Sequence, residues 1–304
     1  MRNKLELCAQ ELKGCKIIQT APMKDYNSFR IGGPADLLFM PKNRDELILG
    51  LNTAKEMGIP YVVMGNGSNM LVSDKGIEGL VIRIGQDFSG IEYDGCVQKV
   101  LSGTLLCLAA NDSLDKGFMG LEWGTGIPGT VGGAVAMNAG AYGGEIKQVL
   151  TKVECYIDGE IRHIVPVDED MSYRFSRFAA PNTIVISAEF SLSPDDGSAK
   201  ERAREYCESR RTKQPLNFPS AGSTFKRPLG HFAGALIEQA GLKGLKVGGA
   251  EVSTLHAGFV INTGGATCDD VCTLMKKVQN EVYDRFGVKL EPEVKIIGRE
   301  VCSL

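Results

Sequence analysis

At 304 residues, 43% hydrophobic and 23% charged, the chain is long enough for more than one globular core and is neither disordered nor fibrous in composition. A formal net charge of −3 and an isoelectric point near 5.8 exclude a general affinity for nucleic acid or for an anionic membrane surface. Glycine is the deviation: 37 residues, gathered at 65–67, 124–144 and 241–265, where backbone turns tightly or approaches another group closely.

The opening MRNKLELCAQELKG predicts a short amphipathic helix without the apolar core of a signal peptide, so a cytoplasmic location is expected. ADLLFMP reads as a strand. NRDELILGLNTAKEMG reads as a helix capped by Asn43 and stopped at Gly58, with Pro60 just beyond. YVVMG and LVIRI supply two more strands, which completes a small β-α-β unit. Between 91 and 193, VQKVLS, VECYI, IRHIVPV and TIVISAEFSL predict strands and LLCLAANDSLDKG a helix, together a second α+β lobe. The polar SPDDGSAK (193–200) predicts a boundary, followed by the charged helix ERAREYCESRRTKQP, closed by Pro215. A third unit has helices near 232–241 and 269–286, a strand at HAGFVIN, and a returning strand in VKLEPEVKIIG. No apolar run approaches the roughly 20 residues that span a bilayer.

Nine cysteines form an odd set without any C-x-x-C, and are expected as buried, reduced thiols. Cys268 and Cys272 fall four apart on a predicted helix, with no histidine pair at zinc-ligand spacing. With only His163, His231 and His256 in the chain, no metal site is expected.

Two glycine segments carry the most information. GTGIPG (124–129) matches G-x-G-x-x-G, but GLEW before it is no convincing strand, and Pro128 removes an amide from a loop that has to donate amides. A Rossmann nicotinamide site is therefore not expected there. GNGSN (65–69) follows the strand YVVM directly, and successive amides in such a turn form a nest for anionic oxygens, with Ser68 and Asn69 as added donors. No GK[ST] follows it, so this is not a triphosphate-hydrolysing loop. A tight turn without a ligand is the plain alternative.

Taken together, GNGSNMLVSDKG and GLEWGTGIPGTVGGAVAMNAGAYGGEI resemble the FAD-binding elements of vanillyl-alcohol-oxidase-type flavoproteins. With NSFRIGGPAD (27–36), SYRFSRF (172–178), PSAGSTFKRP (219–228) and LEPEVKIIG (290–298), the chain is similar to the UDP-N-acetylenolpyruvoylglucosamine reductase family. The resemblance runs from residue 27 almost to the C-terminus. It implies an α+β fold: a two-lobed FAD-binding domain of the vanillyl-alcohol-oxidase type (lobes 1–90 and 91–193), a C-terminal α+β substrate domain (194–290), and a C-terminal strand (291–304) returning to the active site.

The same resemblance implies FAD and NADPH as hydride carriers, and the reduction of UDP-N-acetylglucosamine enolpyruvate to UDP-N-acetylmuramate in bacterial peptidoglycan precursor synthesis. It assigns the cofactor to Arg30, to Gly65, Asn66, Gly67, Ser68 and Asn69, to Gly126, Ile127, Pro128 and Gly129, and to Val131, Gly132, Gly133, Ala134, Asn138, Ala139 and Gly140. Neither loop contains histidine or cysteine, so the FAD is expected to be noncovalent, unlike that of the covalent oxidases sharing the fold. Arg174 of YRFSRF matches the arginine that grips the substrate carboxylate, a task suited to a bidentate guanidinium. Ser223 of AGSTF matches the proton donor, and Glu293 of EPEV the glutamate that helps polarise that carboxylate. Glu291 is its rival by position. Lys226, Arg227, His256 and Asn262 are the implied contacts to the diphosphate and uridine, while the run Arg210-Arg211-Thr212-Lys213 reads equally as a solvated helix end. The shorter, second type of the family is indicated, because no room remains before 193 for the inserted tyrosine loop. No obligatory protein partner is implied. A non-enzymatic nucleotide-binding module is the reading from another class, and the joint presence of Arg174, Ser223 and Glu293 argues against it.

Overall fold

The computed structural model describes residues 1–301, and they form two compact units that interleave along the sequence. The first comprises Met1–Ile18, Leu37–Asn66 and Leu80–Arg210; the second comprises Gln19–Asp36, Gly67–Gly79 and the chain from Arg211 onward.

In the first unit an antiparallel sheet runs in the order Glu160–Ile164, Leu150–Ile157, Thr183–Ser191, Val97–Leu101, Ile91–Asp94. Its two long central strands are buried along most of their length, which is why VECYI and TIVISAEF read as continuous apolar runs. Strand alternation decides where their side chains go. Cys155, Val185 and Phe190 join the core beneath the helices Leu106–Asp115 and Val131–Met137, whereas Tyr156, Ile184 and Ile186 join a second core with Arg2–Glu11 and Arg44–Glu56. The Asn43 carboxamide accepts from Glu46 N at 2.9 Å, the predicted cap. The strand Tyr61–Met64 pairs in parallel with Leu80–Arg83. The predicted β-α-β crossover is present, with Ile77–Arg83 lying between the two strands that the helix links.

The expected boundary at 193–200 falls inside the first unit, and the change of unit comes at Arg210–Arg211. Side-chain ties explain the delay. In the helix Ala199–Lys213, Arg202 holds the buried Glu122 carboxylate at 2.6 Å, and Ala199 and Ala203 pack on Leu114. A polar stretch marks where a chain is exposed, not where its packing partners change.

The second unit is built on the sheet Ser220–Ser223, Phe259–Asn262, Ala250–Val252, Lys246–Val247, covered by the helices Ala233–Gln239 and Cys268–Phe286. Two early segments belong to it because they complete its core. Phe29, Ile31 and Leu71 pack with Phe225, Val260 and Met275, and Ser28 Oγ donates to Ser220 O at 2.7 Å. The predicted returning strand is Lys295–Ile297, paired in parallel with Met70–Val72. Asp74 caps the long helix from outside: its carboxylate accepts from Cys268 N at 2.8 Å and Asp269 N at 3.1 Å, beside the Thr267–Asp270 capping box.

Seven of the described cysteines are free thiols, and burial pushes those of Cys155 and Cys268 up to about 12. Cys272 is disulfide-bonded, which corrects the expectation of a reduced thiol at that position. Among the described residues no helix is long and apolar enough to cross a membrane.

Removing the external cap tests this assembly of the second unit. Asp74→Ala should destabilise the protein by about 1–2 kcal/mol, seen as a lower urea midpoint at unchanged slope. An unchanged midpoint would mean that Asp74 contributes nothing to holding its segment on the helix.

Candidate active site

In the first unit the two glycine loops are held together by short side chains. A Cβ on Gly65 would fall well inside van der Waals contact with Thr130 Oγ1, so only glycine lets the strand end this close to the second loop. Asn66 bridges the gap: its Nδ2 donates to Pro128 O at 2.8 Å, and its Oδ1 accepts from Arg83 at 3.2 Å. Thr130 also caps the helix Val131–Met137, through Gly133 N at 3.4 Å.

The loop amides divide into two groups. Those of Val131 and Gly132 donate to Thr104 O and Ser102 O at 2.8 and 2.9 Å, so they anchor the loop to its own unit. The Cβ that any other residue would bring at Gly132 meets Ser102, a second reason for glycine there. The amides of Gly126 and Gly129 make no hydrogen bond among the described residues and are open to an acceptor. Arg210, for which the sequence left a ligand contact and a solvated helix end equally open, lies across this loop. A Cβ on Gly126 would meet its Cδ at 2.6 Å. Burial holds the Arg210 pKa below its usual value, and Tyr142 and Cys207 act against that shift. A guanidinium remains charged even so, which places a cation beside the open amides. Open amides and a cation on one loop fit the diphosphate of a dinucleotide.

Arg174 sits at the turn of a tight hairpin, Met171–Ser172 against Phe175–Ser176. Its φ of 55° puts a non-glycine residue in the left-handed region, at a cost on the order of 1 kcal/mol. Its guanidinium donates to Gly140 O at 3.3 Å and stacks over the Tyr173 ring at 5.1 Å. Among the residues expected at the cofactor, Asn138 is fully buried and its amide is engaged with the protein on every side.

In the second unit Ser223 is exposed at the end of a bulged strand. Ser220 pairs with Ile261 and Ser223 with Phe259, one extra residue on the serine's strand, accommodated by Gly222 at φ 76°. Such bulges re-aim the side chain that follows them. Glu293 is brought alongside: its amide donates to Thr224 O at 2.9 Å, and its carbonyl accepts from Asn69 Nδ2 at 3.1 Å. Glu291 is exposed and ion-paired with Lys226 at 3.3 Å. Arg227 stacks on Phe232 at 4.4 Å. Arg30 is exposed, with a left-handed φ of 56°.

Two expected substrate contacts are otherwise engaged. Asn262 is buried, donates to Phe29 O, and accepts from Gly264 N and Ala266 N. His256 accepts from Gly258 N through Nδ1, and burial lowers its pKa, so it is a neutral turn residue and not a cation. Sequence reasoning missed a cavity of about 490 Å³ in this unit. It is lined by the exposed apolar residues Leu216, Phe218 and Leu255 and by the polar Gln214, Asn217 and Glu251. The signal available was T-K-Q-P-L-N-F-P, where a helix ends in exposed apolar residues.

Comparison with known proteins agrees with this anatomy. The family model "FAD binding domain" matches residues 35–164, and "UDP-N-acetylenolpyruvoylglucosamine reductase, C-terminal domain" matches residues 214–297. The UDP-N-acetylenolpyruvoylglucosamine reductase of Agathobacter rectalis is 46% identical over 306 residues, covering 95% of this chain and 96% of that protein. That of Alkaliphilus oremlandii is 43% identical over 286 residues, covering 93% and 94%. The crystal structure of UDP-N-acetylenolpyruvylglucosamine reductase from Thermus caldophilus superposes with a TM-score of 0.79 at 37% identity, over 93% of this chain and 98% of that one.

The close approach of the loops yields a direct test. Gly65→Ala should weaken FAD retention about tenfold or more, equivalent to about 1.4 kcal/mol, measured by reconstituting the apoprotein with FAD. Wild-type retention in this variant would show that the spacing of the loops is not what holds the cofactor.

Proposed function

The chain belongs to the UDP-N-acetylenolpyruvoylglucosamine reductase family, and from that membership we propose how its own residues carry out the family's reaction. It is a flavin-dependent oxidoreductase that uses FAD and NADPH in peptidoglycan precursor synthesis. The substrate is UDP-N-acetylglucosamine enolpyruvate and the product UDP-N-acetylmuramate. When bound, FAD supplies the hydride chemistry between NADPH and the terminal vinyl carbon of the substrate.

Hydride addition at that carbon leaves negative charge on its neighbour, delocalised into the attached carboxylate. The protein has to stabilise this charge and then deliver one proton. Arg174 grips the substrate carboxylate through its guanidinium fork, and the left-handed backbone and the Gly140 carbonyl fix the direction of that fork. Ser223 gives its hydroxyl proton to the carbon that carries the charge. Glu293 polarises the same carboxylate together with Arg174. Lys226 and Arg227 lie three and four residues beyond the serine, and their charges suit the diphosphate. The cavity walled by Leu216, Phe218 and Leu255 suits the flat face of a base, with Gln214 and Glu251 available for its polar edge.

The observation that carries this reading is the juxtaposition of Ser223, Lys226 and Glu293. Residues some seventy positions apart are tied by the backbone bonds of Thr224 to Glu293 and of Lys226 to Glu291. An exposed serine on a bulge, beside a glutamate and a lysine, has no packing reason to be there.

The cofactor is held noncovalently on this reading, since neither glycine loop contains a histidine or cysteine for attachment. NADPH and a nucleotide sugar are both cytosolic metabolites, which supports a cytoplasmic location.

Half-reactions separate the roles. In Ser223→Ala, reduction of the flavin by NADPH should stay within a few-fold of wild type, while reoxidation by the enolpyruvyl nucleotide should fall by roughly 10²–10⁴. Equal loss in both half-reactions would remove the assigned role of the serine.

A further inference from the structure

Asn138 was expected to touch the cofactor, and its side chain is held by the protein around it. The residue is fully buried and ends the helix Val131–Met137 in a left-handed conformation, φ 45° and ψ 58°. All of its carboxamide hydrogen-bonding groups are engaged. Nδ2 donates to Glu145 Oε2 at 2.9 Å and to Ser172 O at 3.0 Å, and Oδ1 accepts from Lys147 N at 3.0 Å. Asparagine is suited to this position: it tolerates the left-handed region, and its amide offers both donors and an acceptor.

Ser172 is the last paired residue before the turn that carries Tyr173 and Arg174. Two residues beyond Asn138, the Gly140 carbonyl accepts from the Arg174 guanidinium. The segment 138–140 thus grips the hairpin twice, once at its backbone and once at the arginine head. We propose that Asn138 is a positioning residue for Arg174, and that it sets the arginine's place through the Ser172 carbonyl and not by contact with the cofactor. The proposal rests on the carboxylate-binding role of Arg174 given above.

The physical argument concerns precision. The backbone that carries this left-handed arginine is held at Ser172, where the hairpin meets the Asn138 amide. Loss of the anchor lets the guanidinium wander by a fraction of its own width, and misplacement of about 1 Å costs on the order of 10²-fold in rate. Glu145 keeps the carboxamide oriented, since its carboxylate takes one of the two donors and leaves the other for Ser172.

The test uses Asn138→Gly, which keeps the left-handed backbone and deletes the amide. Reoxidation of the reduced holoenzyme by the enolpyruvyl nucleotide should slow roughly ten- to a hundredfold, while reduction by NADPH and the FAD Kd stay within about threefold of wild type. Hydrogen exchange should quicken at the amides of 172–176 but not within 131–137. Adding Arg174→Met to Asn138→Gly should slow reoxidation little further than Arg174→Met alone, because the two act through one group. If Asn138→Gly does not yield soluble enzyme, Asn138→Asp combined with Glu145→Gln asks the same question: the carboxylate accepts from Lys147 N and from the new amide but cannot donate to Ser172 O, and the same split is expected. A rise in FAD Kd with equal loss in both half-reactions would return Asn138 to the cofactor and overturn the proposal. So would a drop in melting temperature with both half-reactions intact. Undiminished reoxidation in Arg174→Met would remove the parent reading of the arginine, and this proposal with it.

Discussion

A hydrogen atom is the largest side chain that fits at Gly65, and much of the candidate cofactor site depends on that. The closeness of the strand end to Thr130 lets Asn66 reach the Pro128 carbonyl while it accepts from Arg83. Two loops some sixty residues apart in sequence are thereby fixed against each other before any ligand arrives. Preorganisation of this kind reduces the ordering cost that a long, flexible cofactor would otherwise impose on the protein. Arg210 adds to it from a third place in the chain, with its side chain laid across Gly126 beside amides that make no hydrogen bond among the described residues.

The second unit solves a different problem, that of presenting a poor acid. A serine hydroxyl protonates carbon only if it is held where charge develops. The bulge at Gly222 turns Ser223 out of the strand's regular alternation, and the Thr224–Glu293 backbone bond fixes the neighbouring glutamate to the same place. Segments from early in the chain stabilise this arrangement. Asn69 holds the Glu293 carbonyl, and Asp74 caps the helix that supports the sheet. The segment 67–79, which follows the glycine at position 65, is thus part of the same unit as the frame that carries the serine.

Much of this was legible in the sequence. The Asn43 cap, the Gly58 stop and the apolar central strands follow from local chemistry, and the structure has them where they were expected. The site motifs were legible for another reason: glycine clusters and a charged Y-R-F turn are uneconomical unless something requires them. What escaped were relations between distant residues. Nothing local announces that residues 19–36 pack with the C-terminal half or that Arg210 folds back on a loop eighty residues earlier. Asn138 and Asn262 show the complementary limit. Motif position assigned both to ligands, and their buried amides also bond the protein around them, Asn138 to Ser172 O and Glu145, and Asn262 to Phe29 O, bonds that sequence alone does not show.

The central claim is that this chain passes reducing equivalents from NADPH through bound FAD to an enolpyruvyl nucleotide. The most direct measurement is the anaerobic visible spectrum of the purified protein, followed through addition of NADPH and then of UDP-N-acetylglucosamine enolpyruvate. The account predicts bleaching of the flavin by NADPH and full return of colour on addition of the nucleotide, with UDP-N-acetylmuramate formed in equal amount. Flavin that bleaches but regains its colour only when oxygen is admitted would contradict it, and would make the chain an oxidase on the same fold.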